Sequence, residues 1–162
     1  MQIKTYHSFH PEHIFLYERI LHLLEPAKAS YPKLEKWYRH TFLPGLKKRE
    51  RAYVMIHDAE TLVGCALLKR TPDEKKISSL FVHPDYRQKG VGEKLLTVAM
   101  KDLGPGVSLT VSEENLSSLQ PLLQKFEFTL TSSRKGLYVR DKKEYLFKSS
   151  RVIFPPRKER SL

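Results

Sequence analysis

The stretch Leu80-Phe81-Val82-His83-Pro84-Asp85-Tyr86-Arg87-Gln88-Lys89-Gly90-Val91-Gly92 decides how this chain is read. It runs as a short apolar strand, a Pro-bearing turn, a basic glycine loop and the first turn of a helix. Beyond the loop, Val91, Leu95, Ala99 and Leu103 recur at every fourth position, so they fall on one helix face. A strand leading through glycines into a helix N-terminus is a site for a pyrophosphate, because the unpaired N–H groups of the first turn and the helix dipole both favour an anion. Gly90 and Gly92 carry no Cβ and let backbone amides approach phosphate oxygens, while Arg87 and Lys89 bring positive charge to the mouth. A Walker A loop would place Gly-Lys-Ser/Thr at the helix start, where this chain has Gly90-Val91-Gly92-Glu93. A dinucleotide fold would add a third glycine in Gly-x-Gly-x-x-Gly and an acidic residue about 20 positions on.

Composition sets the outer bounds. A chain of 162 residues is a single domain able to close one core, and 40% apolar content marks it as globular. No apolar run reaches the roughly 18 residues of a membrane span, and no apolar region of a signal peptide follows Met1-Gln2-Ile3-Lys4-Thr5. Cys65 is the single cysteine, which excludes an internal disulfide and fits a reducing compartment. A cytoplasmic protein without membrane contact is expected.

The net charge of +11 is unevenly spread: from Thr129 to Leu162, ten Lys/Arg oppose three Asp/Glu. A second basic cluster is Lys47-Lys48-Arg49-Glu50-Arg51. One reading is a solvated surface around an anionic cofactor; the other is a face for nucleic acid or another acidic partner. The first is favoured, because no aromatic-and-basic RNA-binding motif accompanies the charge.

Along the chain, Met1 to His7 suits an opening strand, and Pro11 the first turn of a helix carrying Ile14, Tyr17, Leu21 and Leu24. Ser30 is placed to cap a second helix with Leu34, Trp37, Tyr38 and Thr41, stopped by Pro44-Gly45. Ala52, Val54 and Ile56 alternate with Tyr53, Met55 and His57 as in a strand; Leu62–Leu68 and Ile77–Val82 give two more. Gly64 within a strand marks a bulge or a close backbone approach. After Gly104-Pro105-Gly106 come a strand at Val107–Val111, a helix marked by Leu116, Leu119, Leu123 and Phe126, and closing strands at Phe128–Ser132 and Glu144–Lys148. Residues Ser149 to Leu162, with Pro155-Pro156 and four basic residues, read as an extended arm.

Arg87-Gln88-Lys89-Gly90-Val91-Gly92 fits the pattern Gln/Arg-x-x-Gly-x-Gly/Ala, and Val82-His83-Pro84-Asp85-Tyr86 fits Val-x-Pro-x-Tyr before it. On these motifs the chain resembles the GNAT acetyltransferases, from Lys47 to Lys148, with the N-terminal helices matching only in order. The resemblance implies an α/β (α+β mixed) GNAT fold: a central, mostly antiparallel sheet with splayed middle strands and flanking helices. It implies one domain over residues 1–148, followed by a basic arm over 149–162. The activity implied is transfer of acetyl from acetyl-CoA directly to an amine, with no metal, by a monomer or homodimer. The acceptor is open: a small amine, or a macromolecule such as charged tRNA or a nucleic-acid-bound protein docked on the basic C-terminal region. A module that binds acyl-CoA without catalysis is the alternative of another class.

The same resemblance implies that Leu80, Phe81, Val82, Arg87, Gln88, Lys89, Gly90, Val91, Gly92, Glu93 and Asn115 contact CoA. A backbone N–H near Val82 would polarise the thioester carbonyl. The catalytic positions depart from the family. Leu123 stands where a Tyr normally protonates the thiolate, and Glu127 replaces a Gly. Lys76 and Thr110 occupy the two strand positions where family members carry a Glu base. The spacing from Asn115 to Phe128 is one residue long, and Pro121 suggests a helix beginning at Ser118. Ser79, His83, Tyr138 and Tyr145 are the remaining candidates for proton transfer. Each has a plain alternative as a strand, turn or closing-strand residue, as Cys65 has in the core and Glu113 and Glu114 have in a solvated loop.

Overall fold

The computed structural model describes residues 1–151. Among the described residues, seven strands form one sheet in the order β1-β2-β3-β4-β5-β7-β6. These are β1 (Gln2–Tyr6), β2 (Arg51–Asp58), β3 (Thr61–Arg70), β4 (Lys75–Val82), β5 (Ser108–Ser112), β6 (Phe128–Lys135) and β7 (Lys143–Ser149). Every neighbouring pair is antiparallel except β4 and β5, which run parallel. The sheet is thus the mixed, mostly antiparallel one that the resemblance implies.

Alternation along the central strands buries both faces. Ala52, Val54 and Ile56 of β2 join Ala66 and Leu68 of β3 under α4 (Val91–Leu103) and α5 (Leu116–Lys125). Tyr53, Met55, Cys65 and Leu67 point the other way, into a core made with α1 (Ile14–Leu23), α2 (Leu34–Trp37) and α3 (Leu43–Lys47). Val91, Leu95, Ala99 and Leu103 all lie buried in the first core, as their spacing requires. A Cβ on Gly64 would sit 3.0 Å from Leu95 and 3.1 Å from Val91, so this glycine lets α4 pack directly on β3.

Several local expectations are corrected. Ser30 caps no helix: α2 begins at Leu34 and has no side-chain cap, and the Ser30 hydroxyl donates to Glu114 instead. Pro44-Gly45 does not stop the second helical run. A π-helical turn, Tyr38–Phe42, precedes α3, which places Pro44 near its start, where a missing N–H costs least, and lays Gly45 against the Arg51 side chain. Ile14 is exposed rather than core-facing, since a 3-10 turn at Pro11–His13 rotates the first residues of α1 outward. Helix α5 starts at Leu116, not Ser118, and carries Pro121 in its interior.

At the C-terminus, Ser149 is part of β7 and buried, with its hydroxyl donating to the Phe126 carbonyl at 2.7 Å. Arg151 donates to the Lys125 carbonyl and lies 5.2 Å over the Phe126 ring. Val152-Ile153-Phe154, Pro155-Pro156 and the rest of the basic arm lie outside the described residues.

Candidate active site at the strand fork

The parallel strands β4 and β5 pair only at Lys76–Ser108 and Ile77–Leu109, and then separate. The divergence begins at Ser78. In the register with β3, Ile77 faces Leu68 and Ser79 faces Leu67, so Ser78 is an extra bulge residue, and its hydroxyl accepts from Arg51. At the end of β4, the His83 N–H donates to the Val63 carbonyl at 2.8 Å. Antiparallel alternation then turns the backbone groups of Leu80 and Val82 away from β3, into the fork. The side of β4 that a continuous sheet would pair is therefore open. Arg87 steadies this prong: its Nε donates to the Val82 carbonyl at 3.2 Å and its guanidinium lies over Phe81.

The glycine loop leads from this prong to α4. Gly90 sits immediately before α4 with φ +81, a conformation L side chains rarely adopt, and Gln88 is also left-handed at φ 60. Gly92 serves differently. A Cβ there would lie 3.6 Å from Leu122 and 3.8 Å from Val82, so the missing side chain leaves a gap between α4, α5 and the end of β4. The first-turn amides of α4 and that gap suit a pyrophosphate followed by an extended apolar arm. Around them, Val91 is core, Lys89 lies over the Tyr86 ring, and the Tyr86 hydroxyl donates to Asp58. Glu93 pairs with Lys125 at 2.7 Å and ties the start of α4 to the end of α5. Asn115, at the start of α5, donates to the Ser112 hydroxyl at 2.8 Å, beside the second prong.

The proposed catalytic side chains are not gathered in one place. Ser79 lies opposite Leu67 and so shares the α1 face of the sheet. The His83 Nδ1 accepts the Asp85 N–H and closes the Pro84 turn. Its ring also borders a cavity of about 510 Å³ on the α1 side, with Arg19, His22, Pro26 and Phe81. Tyr145 lies opposite Val111 and faces the α4–α5 side, whereas Tyr138 packs edge-to-face on Tyr31 on the opposite face. Burial pushes the Cys65 thiol up to about 12, which removes it as a nucleophile.

Residues 17–128 match the acetyltransferase (GNAT) family. The chain belongs to that family. Among solved structures, this GNAT acetyltransferase is similar to the NatC complex bound to Gag peptide and CoA, with 18% identity, 94% of this chain and 100% of that chain covered, and a TM-score of 0.72. It is also similar to the aminoglycoside 6'-N-acetyltransferase from Enterococcus faecium, with 15% identity, coverage of 98% and 100%, and a TM-score of 0.69. The PaiA N-acetyltransferase from Thermoplasma acidophilum in complex with coenzyme A is a third, with 16% identity, coverage of 93% and 100%, and a TM-score of 0.65. No curated protein matches the sequence significantly.

Leu123, which the resemblance sets where a Tyr is expected, is buried among apolar residues and offers no proton. Glu127, at the family's Gly position, ends α5 in the left-handed region with φ 56. The pair that sequence reasoning missed is Tyr31 and Glu144. Residues 24–33, between α1 and α2, form a strap that reaches the β5–β7 prong. There the Ser30 hydroxyl donates to Glu114 at 2.5 Å, and the Tyr31 hydroxyl donates to Glu144 Oε1 at 2.7 Å. Glu114 is exposed, yet it anchors the strap, and the Ser30 hydrogen bond together with Lys142 holds its pKa below the ordinary value. Burial raises the pKa of Glu144. No sequence signal marked it, since its partner lies far away in the chain and its strand reads only as a closing one.

Proposed function

We propose that this GNAT acetyltransferase uses acetyl-CoA to acetylate an amine. The observation that carries the reading is the fork: two parallel strands that part after Ile77 and Leu109, with Gly90 and the α4 N-terminus at its mouth. The donor supplies an activated acetyl thioester. The first-turn amides of α4, with Arg87 and Lys89 nearby, bind the pyrophosphate. The gap left by Gly92 admits the pantetheine arm. The amides of Leu80 and Val82, turned into the fork and fixed in direction by the sheet, polarise the acetyl carbonyl and stabilise the charge that develops on its oxygen. The remaining residues of the expected set, Phe81, Gln88, Val91, Glu93 and Asn115, shape the loop and the second prong. Positioning of donor and amine in one fork supplies much of the acceleration. A reducing, cytoplasmic setting agrees with the single buried cysteine. The test is release of free thiol from acetyl-CoA across a panel of primary amines, with the acetylated product identified by mass. Binding of acetyl-CoA without turnover of any amine would favour the non-catalytic module.

A second reading, in which the acceptor is borne by nucleic acid, is favoured by β6 and its hairpin. After Phe128 every residue of β6 is exposed, and Arg134, Lys135, Arg140, Lys142 and Lys143 cluster there. Affinity for a bulk RNA mixture at two ionic strengths tests it. Binding that weakens steeply with salt, and less so after removal of residues 152–162, supports a phosphate-contacting surface; salt-independent or absent binding contradicts it.

A further inference from the structure

We propose that Glu144, held by the Tyr31 hydroxyl at the open end of the fork, receives the ammonium proton of an acceptor that arrives as a protonated primary amine. This inference rests on the N-acetyltransferase reading above. Glu144 pairs in register with Ser112, the last residue of β5, where the two prongs have already parted. It shares the α1 face with Thr110, Ser79 and Lys76, opposite the face covered by α4 and α5. A donor laid along α4 leaves this face for the amine. The two strand positions at which a GNAT member would carry its Glu are here Lys76 and Thr110. Thr110 and Glu144 are diagonal cross-strand neighbours, so the carboxylate is moved one strand over and kept on the same face.

The surroundings of Glu144 fit a carboxylate kept for a visiting cation. It is 5% exposed. Among the described residues, no Lys or Arg nitrogen lies within 4.0 Å of it. Its one side-chain hydrogen bond there is the neutral Tyr31 donor on Oε1, which leaves Oε2 for an incoming N–H. A buried carboxylate without a countercharge is destabilising, so a purely structural role would favour pairing it. The groups that face it are Tyr31 from the strap, Glu114 with its partner Lys142, Tyr138 packed on Tyr31, Lys76 from β4, and Arg134 in register on β6. Burial raises its pKa most; the Tyr31 hydrogen bond and the Lys76 charge lower it, and the Glu114 charge raises it.

The step balances. Glu144 takes one proton from the ammonium, and the freed lone pair attacks the acetyl carbonyl carbon. The C–N bond forms, and the C–S bond breaks with its electron pair leaving on sulfur. A second proton passes from the attacking nitrogen to the thiolate, giving amide and free thiol, and Glu144 returns its proton to solvent. Tyr31 is a positioning residue: it touches the carboxylate, not the amine.

The experiment measures kcat, KM and the pH profile of kcat/KM, with spermidine, kanamycin A and a short peptide with a free amino terminus as probe amines. Glu144→Gln keeps an acceptor for Tyr31 and should lower kcat about a hundredfold, abolish the acid limb of the profile and leave acetyl-CoA affinity unchanged. Tyr31→Phe leaves the carboxylate in place but removes a bond that favours its ionised form, so the acid limb should move to higher pH. A Glu144→Gln enzyme with wild-type kcat and acid limb overturns the proposal, as does an unmoved acid limb in Tyr31→Phe, even if the first variant fails to fold. A wild-type protein that binds acetyl-CoA but acetylates none of the probes overturns both this proposal and the reading beneath it. An active wild type with an unaffected Glu144→Gln overturns this proposal alone.

Discussion

Lys76, at the paired base of the β4–β5 fork, and Glu144, on β7 beside the end of β5, lie on the same face of the sheet, and the Lys76 charge favours the ionised form of Glu144. Burial acts in the other direction and is the larger effect. Lys76 thus puts a cation where the resemblance implies a Glu on β4, and in the proposed arrangement the carboxylate comes from β7. Removing the cation should raise the Glu144 pKa further, because one of the two influences lowering it is gone. Lys76→Gln is therefore expected to shift the acid limb of kcat/KM to higher pH, so that activity is lost earlier as pH falls. The matched pH profiles of the two proteins check this; an acid limb shifted to lower pH would run against it.

Glu127 stands where the resemblance implies a Gly, and its backbone is one that favours glycine. Its φ of 56 and its N–H donated to the Gln124 carbonyl at 3.0 Å are those of a helix C-terminal residue, where glycine is least strained. Glu127→Gly should raise stability by about 0.5–1 kcal/mol, or a few degrees in Tm for a chain of this size. Thermal denaturation of both proteins measures it, and a lower Tm in the variant would contradict the strain argument.

The glycine loop, the faces of β2 and α4, and the order of elements were legible in the sequence, because each follows from short-range chemistry. Gly90 requires its left-handed φ, and Ala52, Val54 and Ile56 carry a period of two. What stayed hidden depended on distant partners. The π turn that lets a helix run through Pro44, the Ser30–Glu114 and Tyr31–Glu144 contacts, and the opposite orientations of Tyr138 and Tyr145 are set by strand register and by the strap over the fork. None of these leaves a local pattern.

Tyr145 of β7 faces the α4–α5 side, Tyr138 lies in the β6–β7 hairpin against Tyr31, and Leu123, where the resemblance implies the acid, is buried in the core. Neither tyrosine is therefore expected to be an indispensable acid. Tyr138→Phe and Tyr145→Phe should each keep turnover within about tenfold of wild type. A loss of about a thousandfold or more in either, with acetyl-CoA still bound, would identify the acid that this account leaves to solvent or to the attacking nitrogen.

If the fork and the α4 N-terminus bind acetyl-CoA, Gly92 gives the cleanest probe of it. Gly90 needs its positive φ, so changing it risks the loop itself, whereas a Cβ at Gly92 meets its neighbours at ordinary contact distances. Gly92→Val should fold, yet place methyl groups in the gap between α4, Leu122 and Val82. Calorimetric titration of acetyl-CoA into both proteins is the direct measurement. The wild type is expected to bind, with an affinity at least about tenfold weaker in the folded variant, about 1.4 kcal/mol. Equal affinity in the two folded proteins would contradict it.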